Sequence, residues 1–558
     1  MEYVENTPLV HHPLENLDLD RLLSEKLGDF GRYQKIVYFL VCLPAALTAG
    51  ITMASVFTAD IPQHRCLVPG CDSPVIPNYD DAGLFGFANF SSPTSGGLPD
   101  SCSVFQSLNN STCESSDFSH ILQKCEKHVF SKKAMRKTLA TEFDLVCGHE
   151  WKLPLSQSAF FAGVLVGAAV FGHLGDVLGR KNMFLVGLFE TTICGVGAAM
   201  SSNFLMFTIF QFFTAMGQVG VFQTVYVLGI EVVGKSKRVF CGIVIEYFFV
   251  AGEILLGLVA WYFKDWRQIQ LVCILPGILF FSYYFILPQS IRWLIQKGKF
   301  STARKELNKI AKGNNVALPS DQDLQLYKKV ELDELPSSNN ESIVDLIKNA
   351  KLLVRLLNVF LNWIVITMIY YGLSMNAASL AGDVFANFAL LSAAEIPGYT
   401  LSYLGMTYLG RRTTLASSLL IGGVSCLISS LLPDTYTTGV TVFFLLGKFG
   451  ATAAFGTTYL YTSELFPTRV RNACVGLSSM MGRVGAIVSP YVARLGVLTG
   501  KEWLPMAVFA AAALLSGSLT FFLPETKGKP LPRTMMEAER LGASSTRAGG
   551  YQQIENEN

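Results

Sequence analysis

Charge is scarce in this chain. Only 15% of its 558 residues are Asp, Glu, Lys or Arg, against 51% hydrophobic residues. A soluble globular protein of this length carries far more charge, so that class is excluded. The 7 histidines show no metal-ligand spacing, and no metal site is expected. No GxxxxGK[ST] phosphate-binding loop occurs, which leaves direct ATP coupling unsupported. No catalytic constellation appears either, so the chain is not expected to be an enzyme. Neither an organic cofactor nor a nucleic-acid partner is expected. No secretory signal peptide is expected at the start of this sequence, because Met1 to Arg32 is polar and contains acids.

What is abundant is apolar sequence in runs of membrane-spanning length, consistent with a mean hydropathy of +0.38. The first run is 36–57, after a terminus at 1–35 that is expected to be cytoplasmic. A polar segment, 58–152, separates it from five further runs within 153–287, near 154–174, 183–200, 204–232, 239–262 and 269–287. A charged segment at 288–351 follows, with an amphipathic helix through Thr302 to Ala311. Six more runs fill 352–523, near 352–373, 380–404, 413–432, 438–461, 473–497 and 503–523, and a polar tail occupies 524–558. The expected architecture is therefore an all-α membrane protein of twelve spans in two six-helix halves. Arg180, Lys181, Lys235, Lys237, Arg238, Arg411, Arg412, Arg469 and Arg471 fall on the side of both termini, which the positive-inside rule makes cytoplasmic.

The 12 cysteines divide by environment. Cys66, Cys71, Cys102, Cys113, Cys125 and Cys147 share the polar segment 58–152 with acceptor sequons at Asn89, Asn109 and Asn110. Together they predict a glycosylated, disulfide-bonded loop on the outer or lumenal side, with the pairing open. Zinc is the alternative reading, against which the irregular spacing and the lack of paired histidines argue. The remaining cysteines lie in or beside apolar runs as small packing residues.

Two loops look alike. GHLGDVLGRK (Gly172 to Lys181) joins the second and third runs, and GMTYLGRR (Gly405 to Arg412) joins the eighth and ninth. The same loop at matching places in two halves implies an internal repeat, which is a transporter architecture. The first motif resembles the loop signature of the major facilitator superfamily. PQSIRWL (Pro288 to Leu294) and PETKG (Pro524 to Gly528) resemble its sugar and organic-ion porters. YTSELFPTRVRN (Tyr461 to Asn472), HRCLVP (His64 to Pro69) and EFDLVC (Glu142 to Cys147) resemble the organic ion transporters of solute carrier family 22. YYGLSM, LAGDVF, EIPGY and GKFGATAAF (from Tyr370, Leu380, Glu395 and Gly447) are most similar to its carnitine and organic-cation branch. The resemblance runs from about Gly31 to Gly528. It implies a major facilitator fold, a monomer, a plasma-membrane location and small organic ions as substrates, with Na⁺ as the coupling ion of that branch. Gln289 and Ile291 depart from the motif's usual Glu and Pro, and Thr48 and Val221 replace polar residues of the branch.

Charges inside apolar runs are costly and mark function. Arg483 lies in the eleventh run and Glu395 in the eighth. Arg suits bidentate carboxylate recognition, and the acid could meet a cation, so a zwitterion would satisfy both. The competing reading is that each pairs with another residue to hold the halves together. Tyr370, Phe222, Tyr226, Trp363, Tyr371 and Tyr461 are candidate aromatic faces for an ammonium, and Gln218 a polar one. Lys448, Glu190, Glu246 and Glu253 remain unassigned. Asp176, Arg180, Glu231, Arg238, Arg412, Glu464, Arg469 and Arg471 are read as salt-bridge clusters that close an inner gate. DLDRLL (Asp18 to Leu23) and YQQI (Tyr551 to Ile554) fit short sorting patterns, which leaves endosomal or lysosomal membranes open. The expected function is secondary transport of organic cations or zwitterions, carnitine-like betaines foremost, by alternating access. The alternatives are an organic anion exchanger and a non-transporting receptor or scaffold.

Overall fold

A computed structural model describes residues 17–68, 71–73, 77–80, 94–95, 98–99, 101–107, 113–114, 118–320, 324, 342–433, 435–532 and 534–541. The sequons at Asn89, Asn109 and Asn110 and the YQQI pattern lie outside these. The chain forms two compact units, Met1–Glu334 with Ser374–Ala393, and Leu335–Leu373 with Ala394–Asn558. Among the described residues, 9 helices are long and apolar enough to cross a membrane.

The first unit is built on the helices Arg32–Met53, Lys152–Leu178, Arg180–Ala199, Phe204–Glu231 and Arg238–Phe263, and on Trp266–Ile286, whose middle is a 3₁₀ stretch. Small residues let these helices touch backbone to backbone, as in other membrane bundles. A Cβ on Gly252 would stand 2.1 Å from the carbonyl oxygen of Ala46, so only glycine permits that approach.

The polar segment folds against this unit as three two-stranded antiparallel sheets: His64–Cys66 with His128–Phe130, Thr94–Ser95 with Leu98–Pro99, and Ser103–Ser107 with Phe118–Lys124. Its cysteines pair as Cys66–Cys125, Cys71–Cys113 and Cys102–Cys147. A buried bidentate pair supports them. Arg65 Nη2 lies 2.6 Å from Asp72 Oδ1 and Nη1 lies 2.8 Å from Oδ2, with side chains 6% and 1% exposed. The segment is tied to the helices by Glu142, which accepts from Trp266 Nε1 at 2.8 Å and Arg267 Nη2 at 2.7 Å.

At the opposite ends of these helices, the segment from Leu17 to Leu27 packs its leucines on Ile291–Gln296 and the amphipathic helix Phe300–Gly313. Asp20 accepts from both Arg238 and Arg292. Burial alone would raise the Asp20 carboxyl, but the hydrogen bond and charge of Arg292, with Arg238, outweigh it and hold it below the usual aspartate range. Leu22 and Leu23, the two leucines of the sorting-like pattern, are buried in this cluster, at 0% and 1% exposure.

The second unit contains Ala350–Met375 through Leu373, then Glu395–Tyr408, Arg411–Leu431, Thr437–Leu465, Thr468–Ala493 and Leu504–Thr520. The eighth run differs from the single span expected at 380–404. It is two helices, Val384–Ala393 and Glu395–Tyr408, interrupted at Ala394. Pro397 explains the break: lacking an N–H, it leaves the carbonyl of Ala393 without its helical donor. The interruption puts Glu395 at the first turn of a helix.

Candidate functional site

In the second unit, side chains from four helices form one connected row. Lys448, Phe455 and Tyr459 lie seven and four residues apart on Thr437–Leu465, which aligns them on one face. Lys448 Nζ lies 2.8 Å from Glu395 Oε1, and the two side chains are 1% and 0% exposed. The Tyr370 hydroxyl donates to Glu395 Oε2 at 2.8 Å. Lys448 Nζ also sits 3.3 Å from the centre of the Tyr370 ring and donates to the Tyr370 carbonyl at 3.3 Å. The Tyr370 ring stacks on Phe455 at 5.4 Å, Phe455 meets Tyr459 edge-on at 6.0 Å, and Tyr459 meets Trp363 at 4.4 Å. The Tyr459 and Ser479 hydroxyls are 3.4 Å apart. One turn on, Arg483 donates to the Ser479 carbonyl at 2.8 Å and to the Ser479 hydroxyl. Arg483 is partly buried, and among the described residues no acid pairs with it. The row therefore has a buried, charge-neutral end at Glu395–Lys448 and a partly buried, cationic end at Arg483.

The two similar loops are built alike. In the first unit Gly179 adopts φ 94° and in the second Gly410 adopts φ 99°, a left-handed region that favours glycine. The next residue in each case is the arginine that makes the ion pairs. Arg180 donates to the Gly175 carbonyl at 2.9 Å and pairs with Asp176 at 2.9 Å and Glu231 at 3.4 Å. Arg411 donates to the Met406 carbonyl at 3.1 Å and pairs with Glu464 at 3.0 Å. The expectation that Arg412 pairs with Glu464 is thus corrected to Arg411. The register is set by the glycine, and Arg412 is one residue beyond it. The backbone N–H of Arg412 instead donates to Glu525 at 3.1 Å, as that of Arg411 does at 2.8 Å. Burial alone would raise the Glu525 carboxyl. The N–H groups of Lys527, Arg411, Thr526 and Thr413 outweigh it and hold it below the usual glutamate range. Glu464 also accepts from the Thr526 hydroxyl at 2.6 Å.

Comparison with known proteins fits this repeated architecture. Residues 105–536 match the family model described as "Sugar (and other) transporter". The chain is 34% identical over 550 residues to an organic cation transporter protein of Drosophila melanogaster, covering 95% of this chain and 97% of that one. It is 34% identical over 529 residues to the human organic cation/carnitine transporter 2, covering 92% and 93%. The chain belongs to solute carrier family 22, within the sugar (and other) transporters. The fold is that of the major facilitator superfamily. The inward-open xylose transporter XylE from E. coli aligns with a TM-score of 0.57 at 15% identity, over 91% of this chain and 99% of that one.

In this membrane transporter, which is not an enzyme, the other expected site residues are not members of the row. Gln218, Phe222 and Tyr226 belong to the first unit, on Phe204–Glu231. The Gln218 amide donates to the Thr48 carbonyl at 3.2 Å and the Thr52 hydroxyl at 2.9 Å. Phe222 stacks on Tyr226 at 6.2 Å. Tyr461 is 1% exposed and its hydroxyl donates to the Pro524 carbonyl at 2.8 Å, so it braces a helix end in place of lining an open site. Arg238 pairs with Asp20, where Glu231 was the expected partner, because Glu231 faces Arg180. Arg471 donates to the Pro532 carbonyl at 3.3 Å, and Arg469 is exposed. Sequence reasoning missed Phe455, Tyr459 and Ser479. The four- and seven-residue spacing of Lys448, Phe455 and Tyr459, and the four-residue spacing of Ser479 and Arg483, were the signals that could have found them.

Proposed function

We propose that this transporter is a secondary carrier of small organic ions that bear both a carboxylate and a quaternary ammonium, carnitine-like betaines foremost. Arg483 carries the reading: a guanidinium at membrane depth with a serine as its bonded partner and an aromatic row beside it. A guanidinium holds a carboxylate through two parallel N–H bonds. The faces of Tyr459 and Phe455 suit a methylated ammonium, which binds aromatic rings and donates no hydrogen bond. The names of the relatives, organic cation and carnitine transporters, support the same class. In this reading both termini are cytoplasmic, the protein works at the plasma membrane, and Na⁺ is the coupling ion. The Arg180–Glu231 and Arg411–Glu464 clusters open and close an inner gate. Arg483, with which no acid pairs among the described residues, favours, as a second reading, exchange of organic anions.

Uptake of labelled carnitine, tetraethylammonium and an aromatic carboxylate, with and without Na⁺, separates these readings. Charge-assisted hydrogen bonds contribute about 1.5–3 kcal/mol, so Arg483→Ala should lower carnitine uptake by about ten-fold or more at equal surface abundance. Carnitine uptake that is indifferent to Arg483→Ala would sink the carboxylate role. Aromatic carboxylate uptake well above that of carnitine would install the second reading.

A further inference from the structure

Glu395 presents an unusual arrangement for a residue expected to meet a substrate cation. A cation box built from a carboxylate, a tyrosine hydroxyl and a tyrosine ring already holds an ammonium. Lys448 Nζ contacts the Glu395 carboxylate at 2.8 Å and stands 3.3 Å from the centre of the Tyr370 ring. The Tyr370 hydroxyl fills the second carboxylate oxygen at 2.8 Å. Neither Glu395 nor Lys448 is reached by solvent, with 0% and 1% side-chain exposure. Every attraction the box could offer a diffusing cation is satisfied by a tethered one. The tether matters, because an ammonium on the same unit binds without losing translational freedom and so outcompetes a free cation of the same chemistry.

Resting on the reading that Arg483 holds a substrate carboxylate, we propose that Lys448 sets substrate class. It occupies the Glu395–Tyr370 box and so denies it to organic cations that lack a carboxylate. Two consequences follow from the charges. A simple cation finds aromatic faces near an uncompensated guanidinium, which repels it. A betaine neutralises that guanidinium with its own carboxylate and then places its ammonium on the aromatic row. Removing the Lys448 charge reverses the preference by freeing a carboxylate under Tyr370, on the other side of the Phe455 stack from Arg483 along the row.

The test compares wild type, Lys448→Met, Lys448→Arg and Glu395→Gln/Lys448→Met, with labelled tetraethylammonium and labelled carnitine as probes, at matched surface abundance. Lys448→Met should raise tetraethylammonium uptake about ten-fold. Lys448→Arg, which keeps a cation in the box, should not raise tetraethylammonium uptake. The double variant should lose the gain, since it has neither occupant nor carboxylate. An unchanged tetraethylammonium uptake in Lys448→Met, or a gain that persists in the double variant, overturns the proposal. A measurement on the wild type keeps the matter decidable if the single variant does not reach the surface. Tetraethylammonium should inhibit carnitine uptake at least about ten-fold more weakly than unlabelled carnitine does, and equal potency overturns the proposal. Failure of the carboxylate reading looks different: Arg483→Ala would leave carnitine uptake intact while the Lys448→Met gain still appears or fails on its own.

Discussion

Replacing Asp72 by Asn removes one charge and almost no volume, and so isolates the buried pair that underlies the disulfide-bonded segment. Asp72 is 1% exposed and accepts from both terminal nitrogens of Arg65 at 2.6 and 2.8 Å, and from the Val68 N–H at 2.8 Å. Arg65 keeps backbone acceptors at Cys66, Asn78 and Tyr79 after the change but loses its counter-charge. Breaking a buried ion pair by removing one partner costs about 3–5 kcal/mol, because the other charge stays buried and uncompensated. That is comparable to one native disulfide, about 2–4 kcal/mol. At 1.4 kcal/mol per ten-fold, opening of the segment should become roughly a hundred-fold more frequent or greater. Hydrogen exchange on peptides covering His64 to Asp72 reads this directly, through loss of protection of the Val68 amide. A peptide outside the segment, such as one from Thr437–Leu465, serves as the internal control. Loss of protection below about five-fold would place the pair among surface salt bridges, worth about 0–1 kcal/mol, and would refute the idea that it holds the segment together.

The Asp20 latch predicts a pH dependence with a definite sign. Its carboxyl is held below the ordinary aspartate value of 3.8, so the stabilisation is present at neutral pH and is lost as pH falls through that depressed value. Asp20→Asn should mimic the acid form at pH 7 and increase protease cleavage between Leu17 and Leu27, and unchanged cleavage would contradict the latch. Arg411 and Arg412, beside the proposed gate, should separate sharply. Arg411→Ala removes the ion pair to Glu464 and should cut uptake at least several-fold, while Arg412→Ala, whose contact to Glu525 is through the backbone, should stay within about two-fold. Equal losses in both variants would restore the earlier expectation for Arg412.

Long apolar runs were legible because hydrophobic length is a local property, and among the described residues 9 helices are long and apolar enough to span a membrane. The breaks and pairings were less so. Pro397 stood in plain view, yet the interruption falls three residues before it at Ala394, since a proline acts on the preceding turn. The off-by-one error at Arg412 has a similar origin. Two adjacent arginines look equivalent as letters, and only the positive φ of Gly410 decides which of them points back along the helix. Asp20 lies 218 residues from Arg238 and 272 from Arg292, in a segment read only as a cytoplasmic terminus, so no spacing rule reaches it. The cysteine pairing was open for the same reason: six thiols in an irregular segment admit many pairings, and folding selects one.

The treatment of Lys448 and Arg483 bears most directly on what this transporter recognises. A lysine or arginine at mid-membrane costs about 2.5–3.5 kcal/mol on insertion scales. For Lys448 the fold supplies a complete answer: a carboxylate, a ring face and a carbonyl, all within 3.3 Å. For Arg483 it supplies one serine, through the hydroxyl and carbonyl of a residue on the same helix. The same unit is therefore able to place an acid against a buried base and does so at one of the two. Arg355, a buried base of the same unit, also has no acid paired with it among the described residues, but the carbonyls of Ala538, Glu539 and Leu541 accept from it, whereas Arg483 has only the hydroxyl and carbonyl of Ser479. The asymmetry has a direct physical meaning if the missing counter-charge arrives with the substrate. The guanidinium is then neutralised in the loaded state and exposed in the empty one, which couples the electrostatic cost of the transporter's interior to occupancy.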